Sequence, residues 1–485
     1  MPQQSGMNLS LNEFIGGNAM IDKGNQIADL KIAYIGGGSR GWAWTFMTDL
    51  AMEPALSGTI RLYDIDEKAA RNNEIIGNAV TARAEAVGKW KYEVSPSLKD
   101  ALTGADFIVI SILPGTFDEM ASDVHLPERY GIYQSVGDTA GPGGEVRAMR
   151  TIPMFVTIAE AIRDYAPKAW VINYTNPMAL CVRTLYRVFP EIKAFGCCHE
   201  VFGTQKVLAA IAQQELGVSD IKRPDIHVNV VGINHFTWFT KASWRNHDLF
   251  PIYADFIDKH YEEGYNDPDR NWANSSFNCA HRVKFDLFRR FGAIAAAGDR
   301  HLAEFMPGDT YLKDPATVES WKFGLTTVDW RKNDLKARLA RSAKLAAGEE
   351  QVDLKPTGEE GILLIKALCG IGRLVSNVNV PNYAGQIPNI SRDTVVETNA
   401  VFSYDSISPM YAGPVPEQVL NLLAPHIENQ RDILEASLNC DFDLALTAFM
   451  RDPLVAGRIT KEQGASLLHD MISNTAAYLP DGWKK

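Results

Sequence analysis

The sequence predicts an α/β chain, with an N-terminal doubly wound parallel sheet followed by a C-terminal α+β domain. Three observations predict it. Residues 31–50 run from strand through a glycine turn into helix. Short continuous apolar runs such as ADFIVISI (105–112) and AWVIN (169–173) recur, each ending in polar residues. Beyond about residue 205 the pattern changes to an alternating strand and aromatic-rich helices. Continuous apolar runs fit parallel strands covered on both faces, and alternation fits a sheet with one wet face. A chain of 485 residues exceeds one ordinary core, so two domains are expected.

In chain order, residues 1–28 are polar and read as an N-terminal extension. KIAYIGGGSRG (31–41) is a buried strand meeting glycines 36, 38 and 41 at G-x-G-x-x-G spacing, with a helix over 42–50. Glycine permits a tight turn at positive φ and close approach of backbone to a pyrophosphate, and the helix N-terminus offers free N–H groups to it. A second strand, 59–63, ends at Asp64, whose carboxylate can accept from ribose hydroxyls and repels a 2′-phosphate, favouring NAD over NADP. Gly36, Gly38, Ser39, Gly41 and Asp64 are therefore the candidate cofactor contacts. Pro114, in the loop after the 105–112 strand, joins them because ligands of open α/β sheets sit at the carboxyl ends of strands. The Rossmann-like domain is placed at 29–205.

A helix is expected around 67–86. VGDTAGPGGEVR (136–147) reads as a shaped loop rather than a core element, with a helix from 152 to 166. Strands at 169–173 and 193–196 end in Tyr174-Thr175-Asn176-Pro177 and Cys197-Cys198-His199-Glu200. A strand at 226–232 runs into Ile233-Asn234-His235. Asp299, Arg300 and His301 cluster in a loop of the Gly/Ala segment 291–307. Helices at 362–371 and 415–429 and a strand-like piece at 377–386 complete the second domain, 206–485, which is assigned the substrate, the metal and oligomerisation.

The bulk numbers exclude some functions. A net charge of −11 argues against nucleic acid and against an anionic membrane surface. Six scattered cysteines make no disulfide framework, and no apolar run has the length of a signal sequence or a membrane span, so a cytoplasmic protein is expected.

Cys198 and His235 are the sharpest chemical pair. A thiolate and an imidazole, each at a strand end, can share one divalent metal and leave positions for substrate. Read from spacing alone, a buried free cysteine and a hydrogen-bonded core histidine is the commoner arrangement. His199 suits a proton donor near neutral pH or a surface position, and Asn176 a sugar contact or an Asn-Pro turn. Asp138 and Thr139 suit ligand contact or ordinary turn chemistry. Asp299, Arg300 and His301 suit a site or a solvated ion pair.

IGGGSRGW, ISILPG, ERYGIYQSVGDTAGPGG, INYTNPM, GCCHEVFGTQ, GINHFTW, GDRHLAEF and NVNVPN, in that order, resemble glycoside hydrolase family 4, the NAD- and divalent-metal-dependent glycosidases. The likeness spans about residue 31 to about 455 and is strongest to the bacterial α-galacturonidase (LplD-type) branch. The phospho-glycosidase branch usually has Asp after the metal cysteine, where this chain has His199, and its tyrosine base has no clear counterpart here. The resemblance implies that Cys198 and His235 hold Mn²⁺ or another divalent metal, that the glycine turn and Asp64 bind NAD, and that Asn176 touches sugar hydroxyls. It also implies hydrolysis of an α-linked uronic-acid glycoside by oxidation at C3, deprotonation at C2, elimination and water addition, a departure from the usual two-carboxylate route. Asp299 is the expected C2 base and His199 the aid to the leaving group. His301 is expected at the substrate, and Arg300 at the uronate carboxylate with Arg147 and Arg282 as rivals. A homodimer or homotetramer is implied. The alternatives are a hydroxy-acid or sugar-acid dehydrogenase, an α-glucuronidase, α-glucosidase or α-galactosidase of the same family, and a non-catalytic NAD or sugar sensor.

Overall fold

The computed structural model describes residues 20–22, 26–266, 275 and 277–484. Most of the expected 1–28 extension lies outside the described residues.

Fourteen strands are assigned among them: β1 (Met20–Asp22), β2 (Gln26–Ile35), β3 (Leu56–Tyr63), β4 (Lys89–Val94), β5 (Phe107–Ile110), β6 (Trp170–Asn173), β7 (Lys193–Gly196), β8 (Ile226–Ile233), β9 (Phe236–Trp244), β10 (His247–Asp248), β11 (Ile294–Ala295), β12 (Leu374–Pro381), β13 (Val395–Ser403) and β14 (Ser406–Pro409). The main sheet has ten strands, with β7-β6-β5-β2-β3-β4 all parallel and β1 antiparallel to β2. Strand order reverses between β2 and β5, which makes the crevice beyond their carboxyl ends the natural ligand position.

The apolar runs behave as predicted. On β2, Ile32 and Tyr34 face the helices Trp42–Ala51 and Glu67–Thr81, while Ala33 and Ile35 face Gly141–Tyr165 and Met178–Val188. Every one of these four residues is at most 2 % exposed. Both faces are covered, so the strands read as continuous rather than alternating.

Two expectations are corrected. Residues 136–147 are not all loop: helix begins at Gly141 and runs to Tyr165, and Pro142, Gly143 and Gly144 are buried in its first turn. Proline is favoured at the start of a helix, and the glycines serve packing, since a Cβ on Gly144 would sit 2.4 Å from the Thr139 carbonyl carbon. Asp299, expected in a loop, opens a short helix, Asp299–Glu304.

The main sheet also crosses the expected boundary at residue 205. β12 pairs antiparallel with β7, and β13 and β14 follow, so the second half of the chain completes the sheet begun by the first. β8, β9, β10 and β11 make a smaller antiparallel sheet. Asn399 Nδ2 donates to the Val228 carbonyl at 2.6 Å, tying the smaller sheet to the larger. The C-terminal helices Glu417–Asn439, Phe442–Arg451 and Lys461–Asn474 share one apolar core with β8, β9 and the 141–165 helix. No helix among the described residues is long and apolar enough to cross a membrane.

Candidate active site

The nucleotide end is built from backbone. Gly36 has φ +91°, and a Cβ there would lie 2.0 Å from the Ser111 carbonyl oxygen on the neighbouring strand, so no other residue fits. Gly36 and Gly37 both donate to the Tyr63 carbonyl at 2.9 Å, and Gly38 N–H donates to Asp64 Oδ2 at 2.8 Å. Asn73 pins the turn from beneath: its amide donates to the carbonyls of Gly37 and Ser39, and its oxygen accepts from Trp44 Nε1. Gly41 caps the 42–51 helix with no side-chain bond and no acid follows in the first turn, leaving the N–H groups for an outside anion. Pro114 is buried, and its carbonyl meets Arg150, whose guanidinium forms a buried ion pair with Asp123. Beside Asp64, the apolar side chain of Ile65 is 92 % exposed. These features fit a dinucleotide.

From that helix a cavity of about 640 Å³ opens. Trp42, in the first turn, stacks on Tyr174 at 5.4 Å and lies 5.5 Å from the His199 ring. Cys197, Cys198, His199, Glu200, Asn176, Asp138, His235, Asp299, Arg300 and His301 all line the same cavity. Strand ends thus converge on one space, as the polar clusters predicted. Cys197 packs on the sheet core and bonds Tyr174, whereas Cys198 bonds Asn234.

His235, Asp138 and His301 form a compact group, with ligand atoms within 4.8 Å of one another. The His235 and His301 ring centroids lie 4.0 Å apart with the planes tilted by 31°. Thr139 Oγ1 donates to Asp138 Oδ1 at 2.7 Å and lies 3.0 Å from His235 Nδ1. A hydroxyl has one proton, so His235 Nδ1 must carry the other and donate, which leaves Nε2 as a free lone pair. Burial and the His301 ring hold the His235 pKa down at about 3, so the ring is neutral. Although burial opposes it, His301, His235 and Arg147 together depress the Asp138 carboxyl, and His301, His235 and His199 lower Glu200 to about 2. Glu200 Oε1 lies 3.7 Å from His301 Nε2.

Burial, with Glu397 and Glu200 nearby, pushes the Cys198 thiol well up. Asn176 Oδ1, Asn234 Oδ1 and His301 Nδ1 are buried with no hydrogen-bond partner among the described residues. A sulfur donor, a neutral imidazole of fixed tautomer and unpartnered polar atoms fit a divalent ion with open positions. A second group, Cys279, His281 and Asp299, is also compact. It already carries a cation: Lys284 Nζ lies 3.3 Å from His281 Nδ1 and bonds Thr204.

Asp299 is buried and accepts from the N–H groups of Val283 and Lys284 at 3.1 and 3.2 Å. Burial raises its pKa to about 6 against the pull of Lys284. His199 is half exposed at the cavity, 3.9 Å from Glu359. Arg147 is turned away, donating to the Asn176 carbonyl, and Arg282 is tied to Tyr261, Ser320 and Glu262. Arg300 lines the cavity. Sequence reasoning missed Asn73, Glu200 and Arg331. Glu200 follows His199 at a strand end and carried a usable signal, whereas Asn73 and Arg331 lie in unremarkable helical stretches.

Comparison with known proteins agrees with this geometry. The chain is 66% identical over 458 residues to an α-galacturonidase of Lachnoclostridium phytofermentans, covering 94% of this chain and 98% of that one. A crystal structure of a putative glucosidase, lplD, from Bacillus subtilis superposes with TM-score 0.87 at 52% identity, covering 92% of this chain and all of that chain. A 6-phospho-α-glucosidase from gut microorganisms, solved in complex with NAD and Mn²⁺, shares the fold at TM-score 0.76 and 20% identity over 93% of this chain and 99% of that one. Residues 31–214 match the family described as "Family 4 glycosyl hydrolase" and residues 230–455 its "C-terminal domain", the two stretches that meet around the cavity, and the chain belongs to glycosyl hydrolase family 4.

Proposed function

We propose that the protein is an NAD- and Mn²⁺-dependent α-galacturonidase, hydrolysing an α-linked uronic-acid glycoside. One observation carries the reading: the uncapped helix behind the glycine turn and the Cys198–His235 region open onto a single cavity. When bound, NAD supplies a reversible hydride acceptor and the divalent ion a Lewis acid. Gly36, Gly38, Ser39 and Gly41 would hold the pyrophosphate, Asp64 would take the ribose hydroxyls, and Pro114 would lie beside the cofactor. Cys198 and His235 would hold the metal, with Thr139 and Asp138 fixing the imidazole.

Asp299 accepts the proton from the sugar carbon. With a pKa of about 6 it is largely ionised at neutral pH and still a competent base. His199, at the cavity mouth, gives a proton to the departing oxygen. Asn176 and His301 meet sugar hydroxyls through atoms that lack other partners, and Arg147 steadies Asn176. The six free cysteines support a reducing, cytoplasmic setting, and family likeness supports a homo-oligomer.

The test is an aryl α-galacturonide assay with NAD⁺ and Mn²⁺ under reducing conditions. Phenol release with no accumulation of NADH is expected, and a chelator should abolish it. Net NADH formation in step with turnover would instead favour a dehydrogenase.

A further inference from the structure

Two guanidinium groups in the cavity have no anionic partner within ion-pair distance among the described residues. Arg331, in the first turn of the helix Val328–Ala346, lines the cavity, and among the described residues its side chain makes no hydrogen bond and no ion pair. Arg300 also lines it. Arg300 donates to the carbonyls of Ser135 and Gly324, at 2.6 and 3.3 Å, and forms no ion pair among the described residues. Both pack on one aromatic ring: Phe277 lies 5.0 Å from the Arg300 guanidinium carbon and 5.8 Å from that of Arg331. They are near enough to repel, since Arg331 is the largest electrostatic influence on Arg300 and, with burial, lowers it to about 10. Asp138 and Glu304 act on Arg331 through space without coming within ion-pair distance. The other cavity cations are engaged elsewhere: Lys284 with Thr204 and Asp299, Lys206 near Glu359.

Like charges held together in a half-dry cavity cost stability, and such an arrangement persists where an anion completes it. We infer that Arg300 and Arg331, both seated on the Phe277 ring, form the clamp for the carboxylate of the acidic sugar. The planar forks suit a carboxylate, and two of them sort an acidic sugar from its neutral counterpart. Arg331 thereby becomes a specificity-determining residue. The inference rests on the proposed function in taking the anion to be a sugar carboxylate.

The test uses the full chain and the R331Q and R331K variants. Galacturonate, galactose and galactose 6-phosphate are titrated calorimetrically, and aryl α-galacturonide kinetics are measured alongside. R331Q should weaken galacturonate binding and raise KM by about 10- to 100-fold, the cost of losing one charged hydrogen-bonding partner. R331K should recover part of this. The stabilisation by NAD⁺ should be unchanged, and R331Q should melt no lower than the parent because an uncompensated charge has gone. A purely structural Arg331 predicts a lower melting temperature instead. Unchanged galacturonate affinity in R331Q overturns the clamp, as does galactose 6-phosphate binding more tightly than galacturonate. If the parent binds galacturonate through Arg331 yet cleaves no galacturonide, the clamp stands and the proposed function fails. If it cleaves galacturonide and R331Q is indifferent, the reverse holds.

Discussion

Thr139 shows how one small side chain can set the state of a site. Its hydroxyl proton goes to Asp138, so its lone pair takes the Nδ1 proton of His235 and points the Nε2 lone pair outward. Nothing else within reach fixes that tautomer among the described contacts. Thr139→Val keeps the shape and removes both bonds. Calorimetric titration with Mn²⁺ should show affinity reduced by about 10- to 100-fold, the usual effect of losing an orienting partner behind a metal ligand, with the far-ultraviolet spectrum unchanged. Equal affinity in the variant would mean that His235 is held by packing alone. The sequence left Asp138 and Thr139 as either ligand contacts or ordinary turn residues. It did not connect them to His235, because the contact spans nearly a hundred residues and has no local pattern.

The 141–165 helix carries the clearest lesson at the level of elements. Glycines and a proline read as a loop, yet they begin a buried helix because close packing on Thr139 leaves no room for a Cβ. In its first turns Glu145 is buried, with Oε1 accepting from Asn429 at 3.4 Å and Oε2 without a partner among the described residues. Burial, reinforced by Asp452, raises its pKa well above the usual 4.5. The folded chain therefore binds this proton more tightly than the unfolded chain. Its contribution is fully present below the unfolded value near 4.5 and is lost as pH rises through the folded value. Glu145→Gln, which keeps a neutral side chain at all pH values, should melt close to the parent at pH 5 and a few degrees above it at pH 9. Melting curves at the two pH values decide it, and an equal offset at both would contradict the sign. The glycine turn at 36–38 was, by contrast, fully legible, because its strand, its turn residues and its helix are contiguous and each obeys a local rule.

Across the whole molecule, what escaped the sequence was long-range pairing. Apolar runs announced β2, β5, β6 and β7 and their polar ends announced the site, but nothing local says that β12 will lie beside β7. The inferred division at residue 205 therefore cuts a sheet. Val378 and Phe402 belong to the same core as Ile32 and Leu62, together with Ile365 and Leu368. A fragment of residues 1–205 should leave the β7 edge unpaired and that core half covered. It is expected to aggregate or to unfold without a cooperative transition, as followed by circular dichroism on heating. A soluble fragment with a sharp transition would show the first half to be autonomous. Arg331 and Asn73 were invisible for a related reason: each lies within an ordinary helical stretch, and only the assembled fold tells which side chain meets the cavity or the turn.

The return of β12–β14 to the edge of β7 has a consequence for how the protein is made. A ribosome adds residues in order, and the strand that completes the sheet next to Gly196 arrives almost two hundred residues after its neighbour. During that interval the growing polypeptide presents an open flank, and the cofactor groove rests on a half-built platform. Competence for catalysis is thus an event of late synthesis, reached only when residues beyond 400 have left the exit tunnel and closed the sheet.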